Sequence, residues 1–370
     1  MLIEYYRRSW NAIPDFEMSK IDFALFTKKI AVIVPVRNEE KNIQHLLTLL
    51  SQQTYPKNLY QVIVVDDHST DNTWNLISHF DNKEMNLVCL QLKDYSKNLK
   101  TNSYKKFAIE TGINRSDTDL IITTDADCHP QKDWLITIAF FQQKTNAKFI
   151  AAPVKINAGN SFLSIFQTLD FITLQGITGA SVFKKIHSMC NGANLCYEKN
   201  TFYEVNGFHD IDNIPSGDDM LLMHKIYKKY PAQVFFIKNK NAIVGTAPET
   251  NWKGFINQRV RWASKADKYD DKRIFWVLLL VYTVNVLFLV LFIASLWNII
   301  LLLFLVLLLT LKTVIEYPFV KSVSKFFGQE NMMRYFPLLQ PLHIIYTIVI
   351  GWLGKFGSYQ WKGRRVVRRK

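Results

Sequence analysis

The stretch IAVIVPVRNEEKNIQHLLTLLSQQ, residues 30–53, decides the fold. Its first seven residues form a continuous apolar run rich in β-branched side chains, the pattern of a strand covered on both faces. A polar turn follows, and apolar residues then recur at helical spacing, so the stretch reads as one β-α unit. The chain downstream repeats it. QVIVVDD (61–67) reads as a strand, Ser69 and Asp71 as turn or capping residues, and TWNLISHF (73–80) as a helix. NLVCLQL (86–92) is a third strand, KKFAIETGI (105–113) a helix closed by Gly112, and DLIITTDAD (119–127) a fourth strand. QKDWLITIAFFQQ (131–143) is its helix, and FIAAPVKI (149–156) is a fifth strand. Strands alternating with helices predict a doubly wound, mostly parallel α/β sheet that binds ligands at the carboxyl ends of its strands. Asp66-Asp67 and Asp125-Ala126-Asp127 both fall at such ends.

No glycine-rich loop follows the first strand, so neither GxGxxG nor GxxxxGK[ST] is available to cradle phosphates through backbone amides. Carboxylates spaced i, i+2 at a strand end can serve a diphosphate indirectly, by holding a Mg²⁺ or Mn²⁺ ion that bridges its oxygens. Taken singly, each cluster also has a plain reading. Asp125-Ala126-Asp127 suits a solvated turn, VDDHST (65–70) an Asx-turn with a helix cap, and Gly217-Asp218-Asp219 the N-cap of a helix over MLLMHKIYKK (220–229). Turn chemistry alone does not explain their common placement at strand ends. No HxH or HExxH pattern occurs among the eight histidines, and His68, His129 and His209 read as polar loop residues, His129 having the best placement for more.

The 370 residues leave room for a large α/β domain and an appendage. With 49% hydrophobic and 21% charged residues, the chain is neither disordered nor of low complexity. Four cysteines without a CxxC pair argue against a disulfide framework or a zinc cluster and fit a reducing compartment. The net charge of +14 lies almost wholly after Asn251, where 18 basic residues meet 5 acidic ones. That region also holds an uncharged run from Ile274 to Leu311. As one helix it would span roughly 57 Å, nearly twice a bilayer core of about 30 Å, so two membrane helices over about 274–294 and 299–316 fit better. A buried core helix pair is the plainer alternative. Basic residues beside such helices match anionic lipid, and no nucleic-acid-binding pattern is present.

The strand-end motifs, taken in order, resemble those of the family 2 glycosyltransferases, whose fold is the GT-A, or nucleotide-diphospho-sugar transferase, fold. The matching residues are IVPVRNEE (33–40), VVDDHSTDNT (64–73), KKFAIETGI, TTDADC (123–128), NGANLCY (191–197) with Gly207-Phe208, SGDDMLL (216–222) and QRVRW (258–262), covering roughly Ile30 to Trp262. The resemblance implies a nucleotide-sugar donor, with uridine favoured over guanosine. Pro35, Arg37, Asn38, Glu39, Asp66 and Asp67 would line the base and ribose, with Lys106 also on the donor. Asp125 and Asp127 would hold the divalent metal and diphosphate, and one of Arg259 and Arg261, which point to different sides of a helix, would reach the diphosphate. Asp219 matches the catalytic base, and Asn191, Gly192, Asp218, Gln258 and Trp262 the acceptor side. Three features depart from the family pattern: Asp218-Asp219 stands where Glu-Asp is usual, Val36 occupies the second position of the start motif, and no membrane helix precedes the first strand. The chemistry agrees independently, because sugar transfer needs a stabilised leaving group, a base for the acceptor hydroxyl and exclusion of water.

These readings divide the chain into an N-terminal lead-in (1–28), a cytosolic α/β domain (29–272) and a membrane region (273–370). Segment 338–354 is short and contains Pro341, Gly351 and Gly354. It is expected as a re-entrant or interfacial segment rather than a third span, because a third span would carry the basic tail 362–370 outside. The expected protein is a membrane-anchored, inverting, metal-dependent transferase acting on a lipid or glycan hydroxyl. A polyprenyl-phosphate sugar transferase and a silent nucleotide-sugar-binding subunit are the alternatives.

Overall fold

The computed structural model describes residues 2–18, 26–81, 85–95, 103–187, 189–212, 214, 217–265, 271–361 and 364–366. In chain order the helices are α1 (Leu2–Asn11), α2 (Ile43–Ser51), α3 (Thr73–Ser78), α4 (Tyr104–Arg115), α5 (Trp134–Thr145), α6 (Phe162–Lys184), α7 (Lys199–Glu204), α8 (Met220–Lys229), α9 (Trp252–Ala263), α10 (Lys272–Ser295), α11 (Ile299–Phe327) and α12 (Phe336–Phe356). The chain forms two units. One comprises residues 14–155 and 188–247, the other residues 1–13, 156–187 and 248–370. This division is not the sequential one expected, because α1, α6 and α9 belong with the C-terminal helices.

The first unit is built on a seven-stranded sheet. Its strands are β1 (Ile30–Val36), β2 (Tyr60–Asp66), β3 (Asn86–Gln91), β4 (Leu120–Thr123), β6 (Phe149–Ala151), β8 (Leu195–Glu198) and β9 (Val234–Phe236), in the order β3-β2-β1-β4-β8-β6-β9. The β1 run is buried almost throughout, as its unbroken apolar sequence requires. It pairs in parallel with β2, placing Val36 beside Asp66, and with β4, placing Ile33 beside Thr123. The carboxyl ends of all three strands therefore meet at one edge. The sheet is mixed, since β8 runs antiparallel between β4 and β6. The expected fifth strand is interrupted at Ala152-Pro153 and splits into β6 and β7 (Val154–Ile156), which lie in different sheets. Proline has no N–H for a central ladder, so the strand ends there. After β4 the chain turns through Asp125 into β5 (Cys128–Pro130), which pairs antiparallel with β10 (Val244–Thr246).

The second unit is helical. Three segments, Lys272–Ser295, Ile299–Phe327 and Glu330–Phe356, are long and apolar enough to cross a membrane. The turn between α10 and α11 falls at Leu296–Asn298, close to the expected position. α11 runs eleven residues beyond its expected end, through Pro318, and is closed by Gly328 in the left-handed conformation (φ 67°). Segment 338–354, expected as re-entrant, lies within the continuous helix α12. Pro341 stands close enough to its start that only the carbonyl of Pro337 loses a partner. The glycines expected to weaken the helix are contact points. A Cβ on Gly351 would lie 2.6 Å from the Tyr282 ring of α10, and one on Gly354 2.6 Å from the Cβ of Ala263 on α9. The basic tail lies outside the described residues except for 364–366, which pair with Tyr359–Trp361 in a short hairpin.

α1, expected as a lead-in at the surface, is packed into this unit. Trp10 is fully buried, edge-on to Phe326 of α11 at 5.5 Å, and the Ser322 hydroxyl donates to Asn11 Oδ1. α6 and α11 touch at Gly176, where a Cβ would lie 2.5 Å from Val323 and 2.8 Å from Phe319. Gly176→Ala is therefore expected to destabilise the protein by about 1–3 kcal/mol through overpacking. Thermal unfolding of the detergent-solubilised chain checks this, and an unchanged midpoint would refute the close crossing.

Candidate functional site

The sheet edge of the first unit carries two interlocked loops. Asn38 and His68 take left-handed backbone conformations (φ 52° and 54°) just past β1 and β2, an uncommon geometry for non-glycine residues that concentrates at functional sites. Asn38 Oδ1 accepts from the Thr70 amide at 2.8 Å, and Ser69 Oγ accepts from the Asn38 amide at 3.0 Å. Arg37 donates to the carbonyl oxygens of Asp67 and His68 at 2.7 and 3.0 Å. Asp66 and Asp67 are both buried at the end of β2. Burial raises the pKa of Asp66 despite the Ser69 amide donating to its carboxylate at 3.3 Å. The amide of Glu39 is fixed by Thr73 Oγ1 at 2.7 Å. Pro35, Arg37, Asn38, Glu39, Asp66 and Asp67 are thus brought to one edge by strand register and loop hydrogen bonds.

Asp125 and Asp127 follow β4. Asp127 accepts from Thr246 Oγ1 of β10 at 3.1 Å, and its pKa is raised to about 6, first by burial and then by the charges of Asp125 and Glu39. This crowding of like charge is what a divalent cation relieves. Among the described residues no cluster of three or more His, Cys, Asp or Glu side chains could enclose an ion. A pair of carboxylates is nonetheless a donor set that Mg²⁺ or Mn²⁺ commonly takes, with water and phosphate oxygens completing the shell.

The cation that meets these carboxylates is Lys105. Its ammonium lies 2.8 Å from Asp125 and 3.3 Å from Asp218. Burial alone would lower its pKa, but Asp125 and Asp218 together raise it, so it stays charged. Lys106, expected on the donor, points inward and donates to the carbonyls of Ile211 and Ile214, both at 2.6 Å. Helical periodicity explains the exchange: Lys106 shares the buried face of α4 with Ile109 and Ile113, while Lys105 projects from another side.

Asp219 is the N-cap of α8. One oxygen accepts from the Met220 amide at 2.7 Å and the other from the Gly192 amide at 3.2 Å. Asp218 lies beside it, and a Cβ on Gly192 would come within 3.2 Å of the Asp218 carboxylate. Gly192 is held in turn by the Thr123 hydroxyl, which donates to its carbonyl at 3.1 Å, while Asn191 Oδ1 accepts from the Ala193 amide at 3.0 Å. The capping reading of Gly217-Asp218-Asp219 thus holds through Asp219, while Asp218 lies 3.3 Å from Lys105.

The remaining expected residues lie on α9 in the second unit. Gln258 donates to Glu249 at 3.2 Å. Arg259 is buried and lies 2.9 Å from Asp170 of α6, whereas Arg261 and Trp262 are half-buried, so the two arginines do point to different sides. Burial pushes the Asp170 carboxyl up, but the charge of Arg259 together with His343 and the Tyr346 hydroxyl outweighs it and holds the group below the usual carboxylate range. Sequence reasoning missed Thr246 and Asp170, and of the pair Lys105-Lys106 it assigned only Lys106 a role. For Asp170 a signal existed: it is the one acidic residue in the apolar run of α6.

Comparison with known proteins agrees with this arrangement. The chain matches the sequence model of glycosyl transferase family 2 over residues 31–199 and that of glycosyl transferase family group 2 over residues 120–352. It is 39% identical over 106 residues to the glycosyltransferase AglE of Haloferax volcanii, which is 29% of this chain and 33% of that one. It is 25% identical over 247 residues to the probable glycosyltransferase YdaM of Bacillus subtilis, 64% of this chain and 54% of that one. The chain thus spans between a third and about half the length of these relatives. Among solved structures, the mannosyltransferase PcManGT from Pyrobaculum calidifontis, in complex with GDP-Man and Mn²⁺, superposes with a TM-score of 0.60 at 16% identity, covering 95% of this chain and 94% of that one. At that identity the likeness speaks for the fold. The match to the glycosyl transferase family group 2 model over more than half its length, with a mixed sheet of this order and the likeness in fold, establishes that the chain belongs to glycosyl transferase family group 2 and has the GT-A fold.

Proposed function

We propose that the protein is a membrane-anchored, inverting glycosyltransferase that moves a sugar from a nucleotide diphosphate, uridine being favoured, to a hydroxyl of a lipid or glycan acceptor. The observation that carries this reading is the bridge made by Lys105 between Asp125 and Asp218, which brings the candidate metal pair and the candidate base motif to one place. Asp125 and Asp127 would hold Mg²⁺ or Mn²⁺, which supplies Lewis-acid stabilisation of the leaving diphosphate. The loops carrying Arg37, Asn38, Glu39, Asp66 and Asp67 would seat the nucleoside. Asp219, fixed by two backbone amides, would take the proton of the acceptor hydroxyl. The acceptor oxygen then bonds to the anomeric carbon as the bond to the diphosphate breaks, and the electron pair leaves with the diphosphate. A single displacement from the opposite face inverts the anomeric centre. Of the two arginines of QRVRW, Arg261 is the better candidate for phosphate, since Arg259 is engaged by Asp170.

The helical unit would anchor the enzyme, with the catalytic unit on the cytosolic side, where nucleotide sugars are made. The apolar side chains of α10 and α11 are exposed along much of their length, as lipid contact demands. α12 runs in the same direction as α9: Tyr346 stacks on Phe255 at 5.4 Å, Ile350 packs with Val260, and Gly354 meets Ala263. α9 carries Lys253, Gln258, Arg259 and Arg261 and is too polar to cross a bilayer. A helix lying along it for these turns fits the interface better than a third span, leaving the basic tail cytosolic.

Three outcomes are expected. Asp127→Asn raises the melting temperature of the metal-free protein, because it removes one crowded charge, yet abolishes the stabilisation by UDP-sugar with Mn²⁺ and abolishes turnover; retained Mn²⁺-dependent stabilisation would refute the metal assignment. Asp219→Asn lowers kcat for nucleotide release by at least about 10²-fold at unchanged donor affinity, as a base acting in the transition state requires, and an active variant would exclude it. A cysteine added after Lys370 reacts with membrane-impermeant maleimide only after permeabilisation, whereas labelling in intact cells would make α12 a third span.

A further inference from the structure

Asp170 lies in the middle of α6, among apolar residues, with a side chain only 7% exposed. A carboxylate so placed requires partners. Arg259 Nη2 approaches it at 2.9 Å, with the Tyr346 hydroxyl at 3.5 Å and His343 Nε2 at 3.6 Å. The ion pair is close but not aligned, and none of the three guanidinium nitrogens of Arg259 has an aligned acceptor among the described residues. Aromatic rings surround the cation instead. Its central carbon is 4.2 Å from the centre of the Trp262 ring, 5.0 Å from Phe255 and 5.9 Å from Phe171. Phe171, the neighbour of Asp170, also reaches Trp262 at 6.0 Å.

We propose that Asp170 and Arg259 are positioning residues for Trp262: Asp170 holds the guanidinium, and the guanidinium plane with Phe171 fixes the indole in the orientation that receives the acceptor. The assignment of Trp262 to the acceptor rests on the function proposed above, whereas the clamp on the indole rests on distances alone. Arginine suits the position because a planar, weakly hydrated cation stacks on an aromatic face, which an ammonium does less well. Stability alone does not call for such a pair, since apolar residues of similar volume commonly replace a buried ion pair without loss.

That last point gives the test. The full chain, labelled with 5-fluorotryptophan and solubilised in detergent, shows one ¹⁹F resonance that Trp262→Phe removes. In the double variant Asp170→Leu/Arg259→Met the melting temperature stays within about 3 °C of wild type, while the Trp262 resonance shifts or broadens. Transfer from UDP-sugar to octyl glucoside as probe acceptor falls at least about 10-fold at unchanged donor KM, the cost of misplacing a contact. A wild-type resonance together with wild-type transfer in that variant would overturn the proposal and leave the pair as packing. If the double variant does not fold, Arg259→Lys, which keeps the charge but not the plane, is read by the same two criteria. A wild-type protein that transfers no sugar would count against the functional reading alone, because the resonance still decides whether Asp170 and Arg259 orient the indole.

Discussion

Like charge gathered where the parallel strands β1, β2 and β4 of the mixed sheet end is the constraint around which the first unit is arranged. The β1–β2–β4 register sets Val36 beside Asp66 and Ile33 beside Thr123, so every loop leaving these strands delivers its carboxylates to the same side. Asp127 carries the consequence in its pKa, raised by burial and by Asp125 and Glu39. A protein tolerates such crowding when cations and N–H donors answer it. Here the answers come from Lys105, from the amides that hold Asp219, and from Gly192, whose missing side chain lets two chain segments close on the acidic pair. Lys105 is on α4, Met220 on α8 and Gly192 in the loop before β8, so the edge is held by several elements rather than by one loop.

In the interior of the helical unit opposite charges are paired instead of like charges being gathered. Asp170 and Arg259 neutralise each other within a cage of rings. A second polar knot joins α11 to α12, where Lys312 donates to Glu316 and to Gln340 at 2.6 and 2.7 Å, and Gln340 donates to Glu316 at 2.9 Å. Each member satisfies another, which is how polar side chains are accommodated among apolar helices and how a particular pairing of helices is selected.

The strands and the helices after β1 and β2 were legible because continuous β-branched runs and 3.6-residue periodicity are strong local signals. Pro153 marked the end of β6 in plain letters, yet its consequence depended on β8 entering the sheet antiparallel, which is a long-range pairing that no window of sequence contains. The choice between Lys105 and Lys106 was readable from the apolar stripe of α4, but a pair of identical residues invites the wrong member when only the motif is read. The glycines of α12 misled for another reason: their low helix propensity is a local cost, and here neighbouring helices use the space they leave. Asp170 and Arg259 are far apart in the chain, and the aromatic cage that makes sense of them exists only once α6, α9 and α12 are assembled.

The docking of α1 has a kinetic corollary. Asn11 bonds Ser322 across a separation of 311 residues, so this contact of α1 forms only after α11 has been synthesised. At about 5–20 residues per second, the ribosome needs between roughly 15 s and 1 min to supply α11. Tyr6 meets its partner earlier, because His187, 3.1 Å from its hydroxyl, follows α6, whereas the contact of Trp10 with Phe326 waits for α11. A contact of such high order closes late and slowly. One face of α1 is thus completed by α6 and the other only by α11, so the two halves of its docking are separated by the synthesis of the whole segment between them.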